Sequence, residues 1–254
     1  MKTIILKRLV EIEEQYKIKI LFSCESGSRA WGFPSPDSDY DVRFIYHYPM
    51  ESYLSVFKKV TQLNFPINGE LDINGWDLSK VLQLINKSNT TPFEWLQSAV
   101  IYKKDMKFKE ELWQICRNYF HQKSHIHHYL GVARGAMKTI NNENIKIKKL
   151  FYILRPLLAA LWCVKHGTIA PMNIYPLMEL LSDNLHKKVL SLIELKSTVT
   201  EGYQIKIENN LREWIDTTFD YCSKNSLQIG QKVYNTDEVD LFFRKIIQKT
   251  STTD

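Results

Sequence analysis

No stretch of this 254-residue sequence approaches eighteen consecutive apolar residues, so no segment qualifies as a membrane-spanning helix. Cysteine is scarce. Cys24, Cys116, Cys163 and Cys222 lie far apart, and no pair has zinc-ribbon or redox spacing. Reduced thiols in a cytoplasmic protein are the expectation. The first residues, MKTIILKRLVEIEEQY, carry charge throughout and have no apolar core, so they do not read as a signal peptide. Internal repeats and low-complexity segments are lacking too. What is present is a folding composition: 44% hydrophobic residues with 6 Trp, 13 Tyr and 12 Phe, which excludes a disordered chain.

The net charge of +6 is unevenly spread. Residues 101–165 hold 13 Lys or Arg against 4 Asp or Glu, whereas residues 1–100 hold 11 against 12. A stretch this basic binds a polyanion, steers a nucleotide or serves as a solubilising surface, and composition leaves these open.

Apolar periodicity predicts a helix over 3–16, strands over 17–24 and 41–48, a short helix over about 51–60 and a strand over 70–75. Asp77 reads as the N-cap of a helix through LSKVLQLI, and Thr91-Pro92 as the start of another. Beyond residue 100, helical patterns dominate at about 107–121, 124–140, 147–166, 173–182, 184–198 and 201–223. Pro156 predicts a kink in the third. The fold class expected is α+β: a small mixed sheet with flanking helices over residues 1–100, then a mainly helical region over 101–254.

Three acids stand out. Asp39 and Asp41 flank Tyr40 at the start of a strand, and side chains two apart on a strand share a face. Asp72 sits between Leu71 and Ile73, whose side chains go to the core, so Asp72 faces the other way. If the two strands are neighbours, three carboxylates converge. Their mutual repulsion calls for a positive partner, and Mg²⁺ favours such hard oxygen ligands. Upstream, Gly27 permits a tight turn and close approach of backbone to a ligand. The Ser28 hydroxyl and the N–H groups after it are suited to a phosphate. Arg29 is placed to meet a phosphate or pair with Glu25. Arg43 shares the face of Asp41, either to touch a triphosphate or to neutralise the acids. Lys80 lies in the helix after Asp77 and is a further phosphate candidate. Tyr40 points to packing. Trp31, Trp76 and Trp95 are cleft walls or stacking platforms. His121, His125 and His128 recur on one helix face, and Arg134 and Arg155 lie on apolar helices that demand a partner for a buried charge.

The segment CESGSRAWGFPSPDSDYDVRFIY resembles the signature of the DNA polymerase beta-type nucleotidyltransferase superfamily. More narrowly, it is similar to the bacterial YcgL-like predicted nucleotidyltransferases, some of them associated with RNA repair. The similarity continues through LDINGWDLSKVLQLINKSNTTPFEWLQS and, more weakly, through HHYLGVARG and FYILRPLLAALW. The resemblance implies that Gly27 and Ser28 bind phosphate, that Asp39 and Asp41 are a metal-binding pair, and that Asp72 is a third carboxylate helping to activate an acceptor hydroxyl. It implies Mg²⁺ or Mn²⁺ as cofactor and a nucleoside triphosphate as substrate; the lack of a long apolar stretch predicts no membrane partner. An RNA end, a protein hydroxyl and a small molecule all stand as acceptors, and the basic stretch favours RNA. The rival from another class is a non-catalytic nucleotide-sensing or nucleic-acid-binding module.

Overall fold

A computed structural model describes residues 1–141 and 143–251. In chain order the first elements are α1 (Lys2–Tyr16), β1 (Lys19–Glu25), α2 (Gly27–Trp31), β2 (Tyr40–His47), α3 (Met50–Tyr53), β3 (Gln62–Asn64), β4 (Leu71–Asp77), α4 (Leu78–Asn86), α5 (Thr90–Gln97) and β5 (Ile101–Lys104). There follow α6 (Met106–Asn118), α7 (Gln122–Met137), β6 (Asn144–Lys146), α8 (Ile147–His166), α9 (Ile174–Leu177), α10 (Asp183–Thr198), β7 (Gln204–Lys206), α11 (Asn209–Leu227) and α12 (Asp237–Ser251). The expected α+β architecture is present, and the chain forms two compact units. Of the described residues, one comprises 1–27, 39–119 and 233–251, the other 28–38, 120–141 and 143–232. Among the described residues no helix is long and apolar enough to cross a membrane.

The first unit is built on a five-stranded mixed sheet of order β3-β4-β2-β1-β5. Only the β2–β4 pair is parallel. Ile5, Leu9 and Ile12, spaced by helical turns along α1, are buried with Val42, Phe44 and Tyr46, which alternate along β2, and with Ile73 of β4. Gly75 is required in β4, because the Phe44 ring lies 2.1 Å from where its Cβ would stand. Alternation then sends Asp41, Arg43 and Asp72 to the opposite side of the sheet.

Asp77 caps α4 as expected, its Oδ1 accepting from the Ser79 N–H at 2.8 Å. Its Oδ2 accepts from the Tyr53 hydroxyl at 2.6 Å. Two expectations shift. The helix at Thr91-Pro92 begins two residues earlier, because the Asn89 side chain caps it by accepting from the Thr91 N–H at 3.1 Å. The helix expected over 51–60 ends at Tyr53. Beyond it the Ser55 hydroxyl accepts from the Phe57 N–H at 3.2 Å, a local bond that competes with helix. The chain returns to this unit at its far end, where Val239, Phe242, Ile246 and Ile247 of α12 are buried and α12 packs on α3 and α4.

The second unit centres on α7, α8 and α11. Helix α8 covers the predicted 147–166 and continues through Pro156. The pattern read as one helix over 201–223 divides instead: Gln204–Lys206 pairs with Asn144–Lys146 as an antiparallel ribbon, and α11 starts at Asn209. Segment 28–38 belongs to this unit and plugs into its core. Phe33, 1% exposed, stacks on Phe151 at 4.7 Å, a burial that stabilises by about 2 kcal/mol. Arg155 is buried at 3% exposure, with Nε donating to the Met172 carbonyl at 3.0 Å and the guanidinium over the Trp31 and Tyr129 rings. The demand for partners read from its apolar helix is met there. Arg134 lies over the Phe219 ring at 5.1 Å.

Candidate active site

Asp41 and Asp72 are directly opposite one another in the parallel β2–β4 register. The cation between them is Arg43. Its Nη2 donates to Asp41 Oδ1 at 2.8 Å and to Asp72 Oδ2 at 2.7 Å. Its Nη1 donates to the Val42 and Asp72 carbonyls at 3.1 and 3.0 Å. The three side chains are 18–30% exposed, so the charges sit in a partly desolvated setting where attraction is stronger than in water. Of the two roles open to Arg43 in the sequence, the structure displays neutralisation of the acids.

The backbone of Asp41 is fixed from both sides. Its N–H donates to Glu25 Oε1 at 2.7 Å, and its carbonyl accepts from the Ser26 N–H at 2.8 Å. Glu25 is 1% exposed and also accepts from the Tyr102 hydroxyl. In the sequence Glu25 stands only as a partner for Arg29. Gly27 follows with φ +59°, and a Cβ there would come within 1.9 Å of Asp41 Oδ2. The turn therefore requires glycine twice over, for its dihedral and for the space taken by the carboxylate.

Asp39 is half-buried just ahead of β2. Tyr40 packs against the α1 side of the sheet, as alternation predicts. Lys80 is held at the other end of β4 from Asp72: its Nζ bonds Gln62 and lies 4.6 Å over the Trp76 ring, and burial lowers its pKa. Trp76 in turn packs on Trp95 at 4.4 Å. Burial raises the pKa of Asp77, against its hydrogen bonds from Ser79 and Tyr53.

Ser28 and Arg29 belong to the second unit. Ser28 Oγ lies 3.0 Å from Ser38 Oγ, and Arg29 Nη2 donates to the Ser38 carbonyl at 2.7 Å. The histidines of α7 separate: His121 precedes the helix as its N-cap, His128 is exposed, and His125 is fully buried beside Phe120, its pKa pushed down to about 3 by burial first and by His128 and His121 next. The same unit carries a polar cleft of about 520 Å³ lined by Thr139, Asn141, Asn144, Lys146, Lys149 and Gln204. The acids nearest in sequence are engaged by other lysines, Glu143 by Lys206 and Glu201 by Lys148.

Among the described residues no set of three or more His, Cys, Asp or Glu is gathered to hold a metal ion. The pair Asp41–Asp72 nevertheless suits one: two hard carboxylates already turn an oxygen each toward a single cationic nitrogen.

This mixed sheet with its flanking helices belongs to a member of the DNA polymerase beta-type nucleotidyltransferase superfamily. The chain belongs, within it, to the RlaP family, described as an RNA repair pathway DNA polymerase beta family, which it matches over residues 1–245. It is 44% identical over 256 residues to the uncharacterized protein YcgL of Bacillus subtilis (strain 168), covering 98% of this chain and 97% of that one. Among solved structures it is similar to a nucleotidyltransferase-like protein from Exiguobacterium sibiricum 255-15, with 13% identity, 88% of this chain and 75% of that chain covered, and a TM-score of 0.31, too low to support an argument.

Proposed function

We propose that this protein is a metal-dependent nucleotidyltransferase that moves a nucleoside monophosphate from a nucleoside triphosphate to a hydroxyl acceptor, with an RNA end as that acceptor. The observation that carries the reading is the in-register pair Asp41–Asp72, whose carboxylates share one cation. Asp39, Asp41 and Asp72 are the residues that would hold Mg²⁺ or Mn²⁺. When bound, such an ion neutralises phosphate oxygens and lowers the pKa of a hydroxyl.

The rest falls to the chain. Glu25 and Ser26 fix the position of Asp41 through its backbone. Gly27 admits close approach, Ser28 offers a hydroxyl proton to a phosphate oxygen, and Arg29 and Arg43 supply positive charge. The acceptor oxygen bonds the α-phosphorus as the bond to the bridging oxygen breaks. Pyrophosphate leaves, and the acceptor proton passes to solvent. The RNA acceptor is supported by the family description and by the two lysines of the polar cleft.

The test offers α-labelled ATP, CTP, GTP and UTP with Mg²⁺ or Mn²⁺ against total RNA, total protein and a metabolite extract. Label in the RNA fraction, absent with the Asp41→Asn, Asp72→Asn double variant, is the expected result. Label in protein or metabolite instead replaces the acceptor. No label from protein that binds nucleotide replaces the enzyme with a nucleotide-sensing module.

A further inference from the structure

The acid face of the sheet continues past Asp72. Alternation along β4 puts Asp72, Asn74 and Trp76 on one face, and the strand register extends that face to β3. Asn74 is opposite Arg43 of β2 on one side and Asn64 of β3 on the other, and Trp76 is opposite Gln62. A set of amides therefore begins one step, about 7 Å, along β4 from Asp72. Its hydrogen bonds run in one direction. Lys80 Nζ donates to Gln62 Oε1, and an ammonium only donates, so Gln62 turns its amide nitrogen to Asn64. Gln62 Nε2 donates to Asn64 Oδ1 at 2.6 Å, and Asn74 Nδ2 donates to the same oxygen. That oxygen is then filled. Left over are Asn74 Oδ1, an acceptor, and Asn64 Nδ2, a donor. Among the described residues neither atom has a hydrogen-bond partner. Asn74 is half-buried and Asn64 is exposed, so both reach solvent. All of these residues lie in the first unit.

An acceptor beside a donor matches a hydroxyl, which does both. The position of the pair indicates which hydroxyl. In-line displacement sets the entering and leaving oxygens on opposite sides of the α-phosphorus. Gly27 flanks the acid pair from the β1 side, against Asp41. A triphosphate tail on that side brings the acceptor in over Asp72, from the β3 side. The ribose at an RNA 3′ end carries two neighbouring hydroxyls. With its 3′-hydroxyl at Asp72, its 2′-hydroxyl meets the next residues on the same face. We propose that Asn74 and Asn64 form a subsite for the 2′-hydroxyl of an RNA 3′ end, Asn74 Oδ1 accepting its hydrogen bond and Asn64 Nδ2 donating to its oxygen. This rests on the reading of the protein as a nucleotidyltransferase with an RNA acceptor. The 2′-hydroxyl is what distinguishes RNA from DNA at a given site, so the amide pair makes the enzyme selective for ribose ends.

The experiment uses the full-length protein and two pools of random-sequence single-stranded RNA. The pools differ only in the last nucleotide, a ribonucleotide in one and a 2′-deoxynucleotide in the other. Binding of each pool is measured, together with kcat/KM for transfer from labelled ATP, CTP, GTP and UTP with Mg²⁺. Wild type is expected to favour the ribose end about tenfold, the size of two neutral hydrogen bonds. Asn74→Ala and Asn64→Ala each leave one bond, so each lowers that ratio to about threefold. The double variant treats the two ends alike, within about twofold, at the rate wild type shows for the deoxy end. A purely structural role lowers both pools together and leaves the ratio unchanged, which overturns the inference alone. So does wild-type protein that labels the two ends equally, or that labels RNA away from its 3′ ribose. Wild-type protein that binds and labels neither pool overturns the RNA-acceptor reading and the inference with it.

Discussion

Arg43 sets one nitrogen, Nη2, between two carboxylates from neighbouring strands, 2.8 Å from Asp41 and 2.7 Å from Asp72. Removing it leaves like charges side by side in a partly desolvated setting. Arg43→Ala is expected to destabilise the protein by about 2 kcal/mol at neutral pH, below the cost for a fully buried pair because these groups reach water. Mg²⁺ should return part of that loss. Thermal melts with and without Mg²⁺ check it: the midpoint should rise more in Arg43→Ala than in wild type. An equal rise in both shows that the acids do not take up the ion in place of the arginine.

Asp72→Asn and Asp77→Asn alter two acids of the same strand with opposite results. The first should lower nucleotidyl transfer on the order of 10²-fold, because it weakens the hold on the ion that neutralises the phosphate oxygens. The second leaves a side-chain oxygen to cap the helix, with a cost below about 1 kcal/mol in stability and transfer retained. Parallel denaturation and labelling assays read both. Full transfer in Asp72→Asn would remove this carboxylate from the chemistry.

Gly27 and Gly167 share a left-handed backbone, φ +59° and +64°, but only Gly27 faces a functional group. Alanine at either position costs about 1–2 kcal/mol through the dihedral alone. At Gly27 the new Cβ also drives into Asp41 Oδ2, so Gly27→Ala is expected to abolish transfer, while Gly167→Ala, with nothing within 4 Å of its Cβ, keeps it. Equal activity in the two variants would show that the turn tolerates displacement of the Asp41 carboxylate.

His125 is buried as the neutral imidazole, with its pKa lowered from 6.5 to about 3. The unfolded chain therefore takes up a proton between those values and the folded protein does not. Stability from this group is complete above about pH 6.5 and declines as pH falls toward 3, at a limiting slope of about 1.4 kcal/mol per pH unit. His47, whose pKa is lowered by burial too, acts in the same direction. Urea unfolding from pH 7 to pH 4 should show a shallower acid limb in His125→Phe than in wild type.

Lys146 and Lys149 line a cleft whose other side chains are amides and a hydroxyl. If RNA phosphates lie there, the double alanine variant should bind RNA more weakly at all sequences. Its salt dependence, as log K against log salt, should be shallower by about 1.4–1.8. An unchanged slope moves the acceptor strand to another surface.

Much of this architecture is written in local pattern. The alternation of Val42, Phe44 and Tyr46 announces β2, and the long apolar stripe of 147–166 announces α8. Asp77 before Leu78 is a cap readable from three residues. The short pairings β3, β5, β6 and β7 are not readable this way, because three or four residues adopt strand geometry only when a partner supplies the hydrogen bonds. The site divides along the same line. Asp41 and Asp72 on one face follow from alternation once the strands are neighbours. That a single arginine nitrogen joins them is a matter of side-chain reach that spacing does not determine. The contact of Ser38 with Glu201 spans 163 residues and leaves no local signal at either end.

Helix α12 supplies the last apolar layer over α4, although it follows the whole second unit in the chain. During synthesis every residue of the second unit emerges before that layer exists. The ribosome thus delivers the acid-bearing sheet before the second unit and the α12 layer of Val239, Phe242 and Ile246 after it, so the first unit is completed only once the second has been made.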